Sequence, residues 1–355
     1  MAQKTLAVKY RPTDFNSVTE QESIKIILQQ QLENDEVKNA YLFCGPAGCG
    51  KTTCARIFAN EINKGQGNPI EMDAASNSGV DDVRNIIQQA QTKSLDSEYK
   101  VFIIDECHSI SNTGWQAFLK LIEEPPAKSI FIFCTTDPQK IPRTILSRVQ
   151  RYDFTKISLQ GIVDRLKYIL TAESIMNPCY TEENDNIVEA LEYIAKLADG
   201  GMRDAISLMD KALAYSTDLT LENVVTALGT TDYDTMFALA TNIIEQTDKA
   251  IECVENIYNS GKDIKQFVKQ FTQFLIDLQK YDIMGDKAWQ YINIPKLKEY
   301  EKLLDCFSED DRFGLLLDLL NDFVKLNANI KYSSVPKYDI EAVILLFGAD
   351  EDVDR

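Results

Sequence analysis

Residues 45–52 read Gly-Pro-Ala-Gly-Cys-Gly-Lys-Thr and directly follow the apolar run AYLFC at 40–44. Nothing else in the 355 residues restricts the fold so tightly. The eight positions satisfy G-x-x-x-x-G-K-[ST], with a strand-like segment before them and a helix-like one, KTTCARIFANEI (51–62), after. In such a loop the glycines let backbone N–H groups turn inward around phosphate oxygens. The start of the following helix adds partial positive charge. Gly45, Pro46, Ala47, Gly48, Cys49, Gly50, Lys51, Thr52 and Thr53 are therefore expected to bind a nucleotide. Lys51 would reach the β- and γ-phosphates, and the Thr52 hydroxyl would ligate Mg²⁺. A bare glycine-rich turn is the competing reading, and the match at all fixed positions and both flanks argues against it.

Around the loop, short apolar runs alternate with helical periodicity. AYLFCG, PIEMDA (69–74), KVFIIDE (100–106) and SIFIFCTT (129–136) read as strands. Residues 51–62, 80–91 and 115–124 read as helices, the last stopped by Pro125 and Pro126. Continuous apolar strands alternating with helices predict a parallel sheet covered on both faces, an α/β fold. From about residue 157 only helical periodicity remains: a three-helix unit ending near 216, then a longer all-α block from about 220. In FVKQFTQFLIDL, Phe267, Phe271, Phe274, Leu275 and Leu278 share one face. FGLLLDLLNDFVKL and AVILLF are apolar enough to be core helices or subunit contacts. The last residues, GADEDVDR, read as a frayed acidic tail.

VFIIDECH supplies a second chemical element. Asp105 ends an apolar strand and would hold Mg²⁺, commonly through water; Glu106 would polarise an attacking water. As strand-end acids facing solvent they would do neither, but an acid beside four apolar residues needs a cation or a donor. Thr135 and Thr136 end the next strand, where a hydroxyl can sense a γ-phosphate or simply serve the turn into Asp137-Pro138. Spacing does not choose between these. Arg148 or Arg151 could reach a neighbouring site as an arginine finger or form surface ion pairs. Arg203 opens a helix, an unfavourable place for a cation unless an anion is near; pairing with Asp204 or Asp199 is the alternative. His108, a single histidine in a turn, receives no role.

Composition narrows the setting. The net charge is −18. Residues 1–155 hold 17 Lys and Arg against 19 Asp and Glu, so most of the acidity falls in the second half, a poor general polyanion binder. The cysteines at 44, 49, 54, 107, 134, 179, 253 and 306 contain no C-x-x-C pair, so no zinc site is expected. Cys44, Cys107 and Cys134 read as small buried hydrophobes of a reducing compartment. No apolar run is long enough for a bilayer span and no secretory leader is evident, which predicts a cytoplasmic protein without membrane contact.

KYRPTDFNSVTEQE, GPAGCGKTTCAR, EMDAASNSGVDDVR, FIIDECHSISNTGWQAFLKLIEEPP, TTDPQKIPRTILSR and GGMRDAISLMDKA, in this order, resemble the AAA+ ATPases of the clamp-loader group, specifically the gamma/tau family of bacterial DNA polymerase III. ALGTTDYDTMFALA resembles the start of that family's collar. The resemblance implies an AAA+ nucleotide-binding domain over 1–157, a three-helix lid over 158–217 and an all-α collar over 218–355, with ATP and Mg²⁺ as cofactors. It implies that Ala7, Arg11 and Val18 line the adenine pocket and that Thr136 is the sensor-1 residue. Arg148 becomes the finger acting on a neighbour's ATP, and Arg203, beside Met202, the sensor-2 arginine. The implied partners are other clamp-loader subunits in an incomplete, pentameric ring, a sliding clamp and primer–template DNA. The helix at 111–124 would lie near the clamp, and helix N-termini around 78–84 near DNA phosphates. A branch-migration motor or a non-hydrolysing stator would be the rival activities. Two departures stand out: EINKGQGN (61–68) replaces the family's four-cysteine zinc module, and the long tail of the tau form is missing. A gamma-length product, or a compact viral version, is therefore expected.

Overall fold

The computed structural model describes residues 4–77, 79–94, 96–174, 185–228, 233–292, 297–307 and 312–353. Cys179 and the 229–232 part of the collar motif lie outside them. The chain divides into two compact units, 1–213 and 214–355.

The first unit is built on a five-stranded parallel sheet in the order β2-β3-β4-β1-β5. The strands are β1 (Ala40–Cys44), β2 (Ile70–Asp73), β3 (Lys100–Asp105), β4 (Ser129–Thr135) and β5 (Gln150–Asp153). Every residue of β1 and β4 is buried. That is the physical meaning of their unbroken apolar runs: alternate side chains enter two different cores. Tyr41, Phe43, Ile103 and Ile132 face α2 (Glu22–Glu33) and α3 (Lys51–Ile62), with Leu28 and Phe58. Leu42, Phe102, Phe131 and Phe133 face α4 (Val80–Ala90), α5 (Asn112–Glu123) and the short α6 (Arg143–Leu146), with Val83, Trp115 and Ile145. The sheet is thus roofed on both sides by sequence-adjacent helices.

Four predicted strands fall within a residue or two of those found, and α3 spans the predicted 51–62. β5 was not foreseen. Its four residues, QRYD, bury only Tyr152, so no apolar run marks it; pairing to β1 from Tyr41↔Gln150 onward makes it a strand. α2 was also unforeseen. α5 begins three residues before its predicted start, because the Ser111 hydroxyl caps it by accepting from Gly114 N–H at 3.2 Å. After α3 the chain turns through Lys64, Gly65 and Gly67, all at positive φ, and enters β2. The rest of this unit is the short α1 (Leu6–Lys9), α7 (Leu159–Ser174), α8 (Asp185–Leu197) and α9 (Met202–Tyr215), which runs on past the boundary at 213.

The second unit is helical: α10 (Leu221–Leu228), α11 (Tyr233–Glu245), α12 (Thr247–Asn259), α13 (Ile264–Met284), α14 (Leu297–Leu304), α15 (Arg312–Asn329) and α16 (Pro336–Val353). The predicted face of α13 is its core face. Phe267, Phe271, Phe274, Leu275 and Leu278 are all buried, with Phe271 against Phe323 at 4.8 Å and Phe274 against Phe237 at 4.9 Å between ring centroids. α15 and α16 are core helices on one face, where Leu319, Phe323 and Ile344 are buried, while Phe313, Val324 and Leu346 are exposed. The stretch expected to fray, GADEDVDR, is helical as far as Val353, and residues 354–355 lie outside the described ones. At its start Gly348 lies so close to Thr247 that an added Cβ would come within 2.7 Å of its hydroxyl. No helix among the described residues is long and apolar enough to cross a membrane.

Phe133 sits at the centre of the α5 side of the sheet, fully buried, 5.3 Å from Phe118 and 5.4 Å from Trp115. Phe133→Ala is expected to cost about 3–5 kcal/mol through lost burial and a residual cavity, read as a lower denaturation midpoint by chemical unfolding.

Candidate active site

Parallel strands deliver their C-terminal ends, and the loops that follow, to one edge of the sheet. The loop after β1 carries Gly45, Gly48 and Gly50, all at positive φ, and α3 begins immediately after it. Two of the glycines answer a steric demand. A Cβ on Gly45 would come within 2.5 Å of the Phe154 carbonyl oxygen, and one on Gly48 within 2.9 Å of the Gly201 Cα. A Cβ on Gly50 would meet nothing within 4 Å, so at that point the loop borders open space. Lys51 is nearly buried, and its Nζ donates to the carbonyls of Gly45 (2.8 Å) and Pro46 (2.7 Å). Cys49 is buried beside it; desolvation raises its thiol pKa, opposed in part by the Lys51 charge.

At the end of β3, Asp105 Oδ2 accepts a 2.8 Å hydrogen bond from Thr52 Oγ1. Two hard oxygens thus meet at the mouth of the loop, a donor set suited to a small divalent cation completed by waters and phosphate. Glu106 follows in the left-handed region, at φ 45°. That backbone costs about 1–3 kcal/mol for a residue with a side chain, and it turns the carboxylate out of the strand direction. Glu106 Oε2 accepts from Thr136 Oγ1 at 3.1 Å and lies 3.3 Å from His108 Nδ1. Thr135 serves differently: it is fully buried, its Oγ1 accepts from Asp137 N–H at 3.0 Å, and His108 Nδ1 is 3.2 Å away. His108, assigned no role from the sequence, is therefore in contact with the candidate catalytic acid. Its only sequence signal was its place two residues after that acid.

Lys51, Thr52, Asp105 and Glu106 open onto a cleft of about 460 Å³, whereas Thr136 and His108 stand behind Glu106, off its wall. Ala7, Arg11 and Val18 line it from the N-terminal segment; Ala47, Gly48, Cys49, Gly50, Lys51, Thr52 and Thr53 line its floor; Met202 and Arg203 line it from α9. Gly45 and Pro46 are not on the wall and contribute through their carbonyls to Lys51. Arg56 and Arg165 were missed: Arg56 ends GPAGCGKTTCAR but is not a fixed position of the loop, and Arg165 belongs to no motif. With them the wall carries five cations (Arg11, Lys51, Arg56, Arg165, Arg203) against three acids (Asp105, Glu106, Asp204), a balance that favours a polyanion. Arg203 stands in the first turn of α9 and makes no ion pair among the described residues; the alternative partner Asp199 is taken by Lys156 at 2.6 Å.

The wall is assembled by long-range bonds. Met202 N–H donates to the Gly48 carbonyl at 3.0 Å, so the turn before α9 is built against the phosphate loop. On the opposite side, Glu173 of α7 accepts from Lys9 Nζ at 2.5 Å and Tyr10 Oη at 2.7 Å, Arg165 donates to the Tyr10 carbonyl at 2.9 Å, and Leu6 N–H donates to Asp210 at 3.1 Å. The N-terminal segment is thereby latched to α7 and α9. The hydrogen bond from Lys9, then that from Tyr10, lowers the Glu173 pKa.

Arg148 lies outside the cleft. It pairs with Glu123 at 2.8 Å and donates to the Thr144 carbonyl at 2.8 Å, with its side chain 39% exposed. Arg151 is locked in a two-pronged pair with Asp153 on β5. Both arginines considered for a finger thus lie at the surface, Arg148 shared among Glu123, the Thr144 carbonyl and the Ser147 hydroxyl, Arg151 given to Asp153.

Comparison with known proteins follows the same map. Residues 64–158 match the family model "DNA polymerase III, delta subunit", 161–218 match "DNA polymerase III clamp loader subunit, ATPase lid domain" and 219–304 match "DNA polymerase III subunits gamma and tau domain III". The tau subunit of Bacillus subtilis DNA polymerase III is 38% identical over 97% of this chain and 63% of its own length. That of Escherichia coli is 33% identical over 72% of this chain and 42% of its own length. The chain thus spans less than two thirds of these relatives. Among solved structures, the Thermotoga maritima RuvB Holliday junction branch migration motor superposes with a TM-score of 0.50 at 22% identity, over 66% of this chain and 80% of that one, a likeness of fold.

Two outcomes are expected. Gly48→Ala, strained at φ 71° and pressed on Gly201, should weaken binding of a fluorescent ATP analogue at least 10-fold, about 1.4 kcal/mol. Glu173→Gln tests the latch. A carboxylate whose folded pKa is depressed contributes above its unfolded value, near 4.3, and loses that contribution as pH falls through the folded value. The melting-temperature gap between the native chain and Glu173→Gln should therefore persist at neutral pH and close below about pH 4.

Proposed function

The chain belongs to the gamma/tau family of DNA polymerase III subunits, and from that premise we propose that it is the ATP-hydrolysing subunit of a clamp loader, coupling nucleotide turnover to the opening of a sliding clamp and its placement on primer–template DNA. The observation that carries the reading is the convergence, on one sheet edge, of Lys51, the Thr52–Asp105 pair and the Thr136–Glu106 pair, with Arg203 on the facing wall.

In this reading the loop and the α3 N-terminus bind the phosphate chain, and Lys51 exchanges its two carbonyl partners for phosphate oxygens. Thr52 and Asp105 would hold Mg²⁺, whose charge would offset that of the phosphate chain. Glu106 accepts a hydrogen bond from the attacking water and orients it in line. Thr136 fixes one oxygen of that carboxylate, and Arg203 reaches the γ-phosphate from α9. Ala7, Arg11 and Val18 border the base. Arg148 serves the neighbouring protomer. Its ion pair with Glu123 is exposed on both sides (39% and 43%), and such pairs are worth about 0–1 kcal/mol, so a phosphate replaces Glu123 at little cost. The partners we infer are further clamp-loader subunits in an incomplete, pentameric ring, the clamp and DNA, in the cytoplasm. Because residues 1–155 are near charge balance, DNA affinity should be modest for the lone chain and rise in the assembly, with a salt-dependent slope.

Glu106→Gln should retain ATP binding and lose turnover by at least about 100-fold, measured as phosphate release by the assembled complex with clamp and primed DNA; surviving turnover would remove Glu106 from its role and favour a different water-activating group. Arg148→Ala should leave ATP binding by the isolated chain unchanged and depress turnover of the assembly about 10³-fold. Undiminished turnover there would rule out a site shared between protomers.

A further inference from the structure

We infer that His108 is a positioning residue for the Glu106 carboxylate, acting through a proton on Nδ1; the inference rests on the reading of Glu106 as the water-polarising acid. The imidazole sits in the turn Cys107–Ser109, tied down by Ser109 N–H to the Glu106 carbonyl (2.9 Å) and by the fully buried Cys107. Its Nδ1 faces two oxygens, Thr135 Oγ1 at 3.2 Å and Glu106 Oε2 at 3.3 Å.

The surroundings assign the proton. Thr135 Oγ1 accepts from Asp137 N–H, and its hydroxyl can serve the imidazole as donor or acceptor. The Glu106 carboxylate can only accept. A bare Nδ1 would set its lone pair against that oxygen at 3.3 Å, whereas Nδ1–H makes the approach attractive. Glu106 Oε2 then accepts from Thr136 Oγ1 and has the Nδ1–H edge of His108 3.3 Å away, while Oε1 is left to receive the water. A positive edge beside the bonded oxygen favours one orientation of the carboxylate, and orientation of this kind is what an outer group contributes to a reacting one.

The chain contains a single histidine, so selective ¹⁵N-histidine labelling gives one imidazole signal set without interference. The expected result in the full chain is a protonated Nδ1 whose resonance moves in Glu106→Gln. A bare Nδ1, or a signal indifferent to Glu106→Gln, overturns the inference. Kinetics supply the second arm. His108→Ala should lower kcat about 10- to 100-fold with unchanged affinity for a fluorescent ATP analogue. His108→Asn, whose amide N–H reproduces Nδ1–H, should restore most of kcat, and His108→Gln, whose amide mimics Nε2, should not. Full kcat in His108→Ala overturns the inference, as does a joint loss of nucleotide affinity and thermal midpoint that Asn does not rescue, which would mark a packing role. Glu106→Gln separates the two levels. If it keeps turnover, the reading of Glu106 fails; if it is inactive while His108→Ala is fully active, only the role of His108 fails.

Discussion

The site depends on one topological constraint, the insertion of β4 between β1 and β3. Cys44, at the end of β1, pairs with Thr135, while Ile104, near the end of β3, pairs with Phe133. The phosphate loop and the Asp105–Glu106 corner are thereby set two strand spacings apart, about 10 Å, with the threonines of β4 between them. Thr52 closes that gap from the first turn of α3 to Asp105, and Thr136 closes it from β4 to Glu106. Parallel register demands burial on both faces, so the same aromatic packing that roofs the sheet fixes these end-of-strand groups. The energy that positions the catalytic edge is the hydrophobic energy of Tyr41, Phe43, Phe102, Phe131 and Phe133, and the polar groups at the tips contribute direction.

A second constraint couples the floor of the cleft to its wall. Gly48 has no room for a side chain because the backbone at Gly201 lies against it, and Met202 donates to the Gly48 carbonyl. Any change in the loop's conformation must therefore move the start of α9, and with it Arg203. On the other side, the Glu173 latch ties the N-terminal segment to α7. Arg203, Arg165 and the N-terminal residues Ala7, Arg11 and Val18 thus belong to a continuous rim, and a ligand that altered the loop would be felt along it.

Much of this was legible in the sequence where one physical demand selects a residue type. The loop could be read because a phosphate cradle needs glycine at fixed positions, and β1, β3 and β4 because a doubly covered strand must be apolar throughout. β5 was illegible: a strand pairing along one side needs only one buried residue, Tyr152, among polar ones. Arg165 and Glu173 were invisible because their value lies in partners more than 150 positions away. The helical course of α16 as far as Val353 was not legible, because an acidic composition suggests solvation rather than helix. His108 was set aside on grounds that treat a turn histidine as generic; only the fold reveals that the turn curls its ring back onto Glu106 and Thr135.

The remaining asymmetry concerns charge in the site. Within one chain the cleft carries five cations against three acids, while Arg148 lies outside it, holding Glu123, the Thr144 carbonyl and the Ser147 hydroxyl. These partners sit at the exposed surface, where an ion pair is worth about 0–1 kcal/mol. Under the proposed function that placement has a use: the sheet edge would bind nucleotide within the protomer, and Arg148 would exchange its surface partners for a phosphate held by a neighbour.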